Sequence, residues 1–270
     1  MASKVRRGAA EGFPYSLSRW TDLPAAKWGW FRTQLINGSM IAMDPRTGLP
    51  DRWSLAPKDT LGLVFWTRNS RNLVDDRALL GPYRKVVHFT LTGWDEVETR
   101  APGIEEGLDL LARAVDTFGV GSVRWRFSPV PVVDDVTDRF ARIAARAASL
   151  GLKEVYLSFL QPNDWAGETR SPQERASILC GLAAVTNLEL RLCNEDSSTP
   201  VSGAIGRGIC EDARRFVDGV KAEKCGCALA VDPFSQNEAC VYGCRYCYAG
   251  NRATSPRKRN TTRLPLLGKY

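Results

Sequence analysis

Short runs of Val, Leu, Phe, Tyr and Trp recur along the chain and alternate with longer stretches of helical period. The apolar runs are Phe13 to Ser18, Leu61 to Trp66, Val86 to Leu91, Ser122 to Phe127, Glu154 to Phe159 and Leu188 to Leu192. Each has the length and composition of a buried strand. Between the first two, Ser39 to Met43 and Asp51 to Leu55 flank Asp44-Pro45-Arg46-Thr47-Gly48, which reads as a hairpin turn. Helices are predicted at Ala25 to Ile36, after Asp22 and Pro24, and at Ile104 to Phe118 and Asp138 to Leu150, stopped by Gly119 and Gly151. A fourth, Pro172 to Val185, starts behind Ser171 as cap. Strand–helix alternation of this kind predicts a parallel sheet.

Size fits that reading. A chain of 270 residues with 44% hydrophobic content can bury the core of one α/β domain plus a small appendage. No apolar run is long enough for a membrane span, and the N-terminus lacks an apolar signal core, so a cytoplasmic protein without a membrane partner is expected. The single histidine, His88, argues against a histidine-based hydrolase or a histidine-rich metal site. The eight cysteines of an intracellular chain point to metal or redox chemistry rather than disulfides. Much of the net charge of +7 sits in the tail, 251–270, which has basic residues and no acidic ones. Such a tail binds phosphates or nucleic acid, or is simply a solvated end.

In a parallel barrel, function gathers where the strands end. Those positions here are polar: Ser16, Ser18, Arg19, Thr21 and Asp22 after the first strand, then Thr67-Arg68-Asn69. His88, Thr90 and Thr92 follow, then Arg124, Arg126 and Ser128, then Ser158. Singly each reads as a cap or strand end; as a set they read as a lined mouth. Asp22 and Glu195 are acid/base candidates by position alone.

The most specific chemistry is near the C-terminus, where Cys240, Cys244 and Cys247 stand as C-x3-C-x2-C before Tyr248-Ala249. Three such thiolates can hold three corners of a cubane cluster and leave one iron open. Zinc sites favour separated C-x2-C pairs. The run C-V-Y-G-C-R-Y-C-Y-A resembles the cluster loop of the radical SAM superfamily, with a likeness to its spore photoproduct lyase branch. The further runs S-R-W-T-D-L-P, V-F-W-T-R-N, F-T-L-T-G-W and W-R-F-S-P extend the likeness, over almost the whole chain, to a bacterial family of radical-SAM-like proteins with a C-terminal cluster.

That resemblance implies a partial (β/α)6 TIM-like barrel over 1–192, a cysteine-rich segment over 193–250 and the basic tail. In the superfamily the loop follows the first strand, whereas here it comes last. The barrel is therefore either circularly permuted or followed by an appended cluster module. A [4Fe-4S] cluster on Cys240, Cys244 and Cys247 would bind S-adenosyl-L-methionine and yield a 5'-deoxyadenosyl radical. Thr67, Asn69, Thr90, Thr92 and Arg126 become candidate cofactor contacts, with Tyr246 beside the adenine.

Cys193, Cys210, Cys225 and Cys227 number enough to ligate a second, auxiliary [4Fe-4S] cluster, or to hold zinc as a structural pin. Cys180, in an apolar helix, is expected to be buried packing. Arg19, Arg68, Arg124 and Arg126 suit a phosphorylated substrate or the carboxylate of the cofactor. The resemblance reaches an activity of thionucleoside antibiotic assembly, of the albomycin type, that exchanges a sugar-ring oxygen for sulfur. It implies a nucleotide or sugar-phosphate substrate and a reductant such as flavodoxin or ferredoxin. A nucleic-acid repair enzyme is the second expectation, and a non-catalytic iron–sulfur or zinc module the third.

Overall fold

The computed structural model describes residues 14–160, 170–193, 205–208, 230–234 and 240–247. Cys210, Cys225, Cys227, Glu195 and the basic tail lie outside the described residues.

All six predicted strands are present: β1 Tyr15–Leu17, β4 Leu63–Thr67, β5 Lys85–Thr90, β6 Val123–Phe127, β7 Glu154–Leu157 and β8 Glu189–Leu192. A seventh, β9 Ile205–Arg207, was not foreseen. They form one parallel sheet in the order β1-β4-β5-β6-β7-β8-β9. The hairpin is β2 Ser39–Met43 paired antiparallel with β3 Pro50–Ser54. It is tied to the N-terminal ends of the sheet by hydrogen bonds from Tyr15 to the Ser54 carbonyl and from Tyr83 to the Leu55 carbonyl.

The predicted first helix is two: α1 Leu23–Ala26 and α2 Trp28–Asn37, separated by Lys27 at φ −131°. Gly38, at φ 70°, ends α2 in the left-handed conformation that glycine adopts without penalty. Two short helices, α3 Arg71–Asp75 and α4 Arg77–Leu80, follow β4. The amphipathic segments form α5 Ile104–Phe118, α6 Val136–Ser149 and α7 Pro172–Ala184. Ser171 caps α7 in a full capping box with Glu174.

Because strands follow one another in the sheet almost in chain order, and α3, α5, α6 and α7 pack each on the next, the helices share one face. The period of two along each strand divides the side chains accordingly. In β6, Val123, Trp125 and Phe127 join the core with Phe140 and Ile143 of α6, while Arg124 and Arg126 face the other way. Phe65, Phe89, Val155, Leu157 and Leu190 extend the helix-side core. The opposite, inner face carries Ser16, Trp66, His88, Thr90, Arg124, Arg126, Glu154 and Tyr156. Packing is close at Gly107 of α5, where a β-carbon would stand 2.5 Å from Leu91.

Candidate functional site

The cysteine loop is anchored at the C-terminal ends of the strands. The stretch leading towards it lies beside β1: Val231 makes a parallel bridge with Tyr15, with Val231 N donating to the Pro14 carbonyl and Ser16 N to the Val231 carbonyl. Asp232 fastens it further, accepting from Ser18 Oγ at 2.6 Å, from Arg19 N at 2.9 Å and from Phe234 N at 3.0 Å. Three donors satisfy a buried carboxylate whose burial raises its pKa.

In the loop itself, Gly243 takes φ 56°, and Cys247 N donates to the Cys244 carbonyl to close the turn. Tyr242, Cys244 and Tyr246 are buried in one apolar cluster with Trp94, Val97 and Leu160, against which Cys240 and Cys247 also pack. The three cysteines are thus gathered in one place. Burial pushes the Cys244 thiol up to about 11; the charge of Arg68 opposes this, and Glu98, Cys247 and Cys240 add to it. Among the described residues no group of three His, Cys, Asp or Glu side chains is set to hold a single metal ion.

Beneath the loop is a buried polar network. Arg68, just past β4, donates from Nη1 and Nη2 to the two carboxylate oxygens of Glu98, each at 2.7 Å. Thr92 Oγ1 donates to Glu98 at 2.6 Å, and the Tyr246 hydroxyl is bonded to Glu98 as well. The Tyr246 ring stacks on Trp94 with centroids 5.4 Å apart. Asp22 accepts from Thr67 Oγ1 at 2.8 Å, Arg68 N at 2.7 Å and Ala25 N at 3.0 Å, so it caps α1 and joins α1 to β4. Burial raises its pKa to about 6, against the opposing hydrogen bonds.

The inner face forms a second polar layer, in rows set by the sheet register. Trp66, His88 and Arg124 share one row; Thr90, Arg126, Tyr156 and Arg191 share the next row towards the mouth. Trp66 and His88 stack at 4.4 Å, the edge of Tyr156 meets His88, and the Arg126 guanidinium lies 4.9 Å over Trp66. Ser128 and Ser158, hydrogen-bonded to each other, follow above Arg126 and Tyr156. Cys193, half-buried, comes directly after β8 with its N–H on the Leu157 carbonyl, level with this mouth.

The sequence-based candidates therefore divide. Asp22, Thr67, Asn69, Thr92, Tyr246 and the three cysteines come together around the loop, and Thr90 and Arg126 lie on the inner face. Thr67 and Thr92 already give their hydroxyl protons to Asp22 or the Asn69 carbonyl and to Glu98. Tyr246 turns its ring onto Trp94 instead of standing as an open platform for adenine.

Two expectations need correction. Arg124 is not at the mouth: its guanidinium bonds the Val120 and Val123 carbonyls and pairs with Glu154, at the N-terminal ends of the strands. Cys180 is exposed, because it falls on the outer side of α7 while Leu179 and Leu182 face the core. Glu98 and Trp94 were not foreseen; they lie in a loop without periodicity, and their partners are far away in sequence.

Comparison with known proteins adds little chemistry. No curated protein matches the chain significantly. Among solved structures it is similar to a candidate phosphonomutase of Burkholderia cenocepacia, 11% identical with a TM-score of 0.37, over 57% of this chain and 65% of that one. It is also similar to a variant of NCR from Zymomonas mobilis, 20% identical with a TM-score of 0.35, over 57% of this chain and 60% of that one. The chain thus spans under two thirds of the length of either protein. The match to a family model is far broader: residues 15–249 fit the family described as a domain of unknown function, DUF1848, and the chain belongs to that family.

Proposed function

We propose that this chain is a radical SAM enzyme on a circularly permuted partial barrel, with Cys240, Cys244 and Cys247 holding a [4Fe-4S] cluster. The placement of the cysteine loop carries the reading. The stretch before it pairs parallel with β1 through Val231. In space, the cysteines therefore follow a strand position next to the first strand of the sheet, although in the chain they come last. A module merely appended behind the barrel has no need of that pairing. Permutation preserves it, because it moves the chain ends and keeps the neighbours.

The residues present fit the group. The three thiols meet in one apolar patch, with Cys244 buried in it and Cys240 and Cys247 packed against it, and the other two raise the pKa of Cys244. A cubane needs its thiolates on different irons, not converging on one ion, so the lack of a single-ion site is compatible with it. When bound, such a cluster supplies one-electron cleavage of S-adenosylmethionine to a 5'-deoxyadenosyl radical.

The chain's own groups then bind and orient. Thr67 and Asn69 shape the turn after β4 and fix Asp22 at the edge of the loop. Thr90 and Arg126 present a hydroxyl and a cation on the inner face, suited to a nucleotide or sugar phosphate. Asp22, its pKa raised by burial to about 6, is the acid/base candidate at the loop. The most specific form of the reading is replacement of a furanose oxygen by sulfur, drawn from an auxiliary cluster on Cys193, Cys210, Cys225 and Cys227. Cys193 stands at the same mouth, which supports that form.

Anaerobic reconstitution tests this, with iron and sulfide counted on the native chain and on a Cys240→Ala, Cys244→Ala, Cys247→Ala variant. About eight irons falling to about four, the content of two cubanes and then one, is expected, together with 5'-deoxyadenosine formed by the native chain only. A colourless protein that takes up zinc alone would overturn the proposal. About four irons falling to none would remove the sulfur donor.

A further inference from the structure

Arg68 follows the last residue of β4, where a guanidinium at the mouth would be free to meet an anionic ligand. Its hydrogen bonds are spent elsewhere. Both terminal nitrogens bind Glu98 at 2.7 Å, and Nη2 also donates to the Tyr246 hydroxyl at 2.6 Å. Tyr246 sits between Cys244 and Cys247, and its ring rests on Trp94. The two charged side chains are 12% and 4% exposed. Apolar contacts with Trp94, Val97 and Leu160 already hold the loop. A buried ion pair is an expensive addition for anchoring alone, since desolvation of both ions offsets most of their attraction.

We infer that Arg68 is the positioning residue of the cysteine loop: clamped by Glu98, it latches the loop through Tyr246 and is the counter-cation to the sulfur of Cys244, two residues before Tyr246. The latch belongs to the chain itself and operates without metal. The counter-charge rests on the iron–sulfur reading above. A cluster becomes more negative on reduction, so a nearby cation favours the reduced form and raises the reduction potential. A nearby carboxylate does the reverse. Arg68 and Glu98 therefore act with opposite sign on the same centre.

The test uses the full chain with Arg68→Met, Glu98→Gln and Tyr246→Phe. In the metal-free protein, hydrogen exchange of the 240–247 amides should accelerate at least tenfold in each variant, with the β5 and β6 amides unchanged. Tyr246→Phe keeps the ring on Trp94 and removes only the hydroxyl, so it remains informative if the charge variants fold poorly. Unchanged exchange of the loop in Tyr246→Phe overturns the latch. On reconstituted protein, potentiometric titration followed by electron paramagnetic resonance should give a lower midpoint in Arg68→Met and a higher one in Glu98→Gln. Shifts of one sign, or none, overturn the counter-charge. A native chain that takes up no iron overturns the iron–sulfur reading and the counter-charge with it, and the exchange result then still decides the latch.

Discussion

Asp22 makes the pH dependence of stability measurable at one residue. Its carboxyl is buried, and burial lifts its pKa from 3.8 to about 6. At about 1.4 kcal/mol per pH unit, that displacement corresponds to about 3 kcal/mol. The sign follows from proton counts. Between pH 4 and 6 the folded chain holds this proton and the unfolded chain has lost it, so stability falls as pH rises through this window. Below pH 4 the advantage of the neutral form is complete, and above pH 6 it is gone. Asp22→Asn cannot titrate. It also points an amide nitrogen at one of the three donors that Asp22 now accepts, a cost of about 1–3 kcal/mol that is independent of pH. Urea unfolding of native and Asp22→Asn chains at half-unit steps from pH 3.5 to 7.5 separates the two effects. The native chain should lose about 3 kcal/mol relative to the variant across the window, whatever the constant offset. Parallel stability curves would refute the argument and make Asp22 an ordinary ionised cap. A native chain that gained stability towards pH 6 relative to the variant would reverse the assigned direction.

Two further outcomes follow from packing and charge. Gly107→Ala places a β-carbon 2.5 Å from Leu91 Cδ1 in a filled core, so α5 must lift or Leu91 must change rotamer, costing about 1–3 kcal/mol; a urea midpoint equal to that of the native chain would contradict it. The Cys244 thiol, raised to about 11 by burial, is protonated at neutral pH and must lose its proton to become a ligand. Cluster uptake should therefore release protons and speed up from pH 7 to pH 9, and uptake that is flat with pH would contradict this.

The strands were legible because a strand in a parallel sheet packed with helices is a short apolar run with clear ends. β9 was not, since Ile205-Gly206-Arg207 offers only one apolar side chain and is a strand by pairing with β8 rather than by its own composition. The split of α1 from α2 at Lys27 is equally hidden, because the apolar spacing runs through it. The cysteine loop declared itself by spacing, which is a local property. Its support did not: Arg68, Glu98 and Tyr246 are joined over separations of 30 and 178 residues. Position at a strand end marked Arg68 as a ligand contact, and only the location of Glu98 shows that its charge is already engaged. Arg124 was misplaced for a related reason. Inner-face residues two apart on a strand share a face but lie at different depths, and alternation alone gives the face.

The inner face is polar above a short apolar plug. Parallel barrels ordinarily plug their centre with layers of branched apolar side chains. Here an apolar plug of Leu61, Val64 and Val86 occupies only the N-terminal end. The next row towards the mouth holds Trp66, His88 and Arg124, with Arg124 neutralised by Glu154, which also pairs with Arg191. The row above holds Thr90, Arg126, Tyr156 and Arg191. Each such group loses about 1–3 kcal/mol when buried without a partner, and Glu154 supplies one to Arg124 in the lower polar row and to Arg191 in the row above. Arg126 lays its guanidinium over the Trp66 ring and donates to Ser128 Oγ at 3.3 Å. Polarity therefore increases from plug to mouth. On the function proposed above, Arg126 is the cation that meets the phosphate of the substrate. Arg126→Leu should leave the latch and the iron content intact while weakening binding of a phosphorylated substrate at least tenfold, and equal affinity in the two proteins would move the substrate away from the inner face.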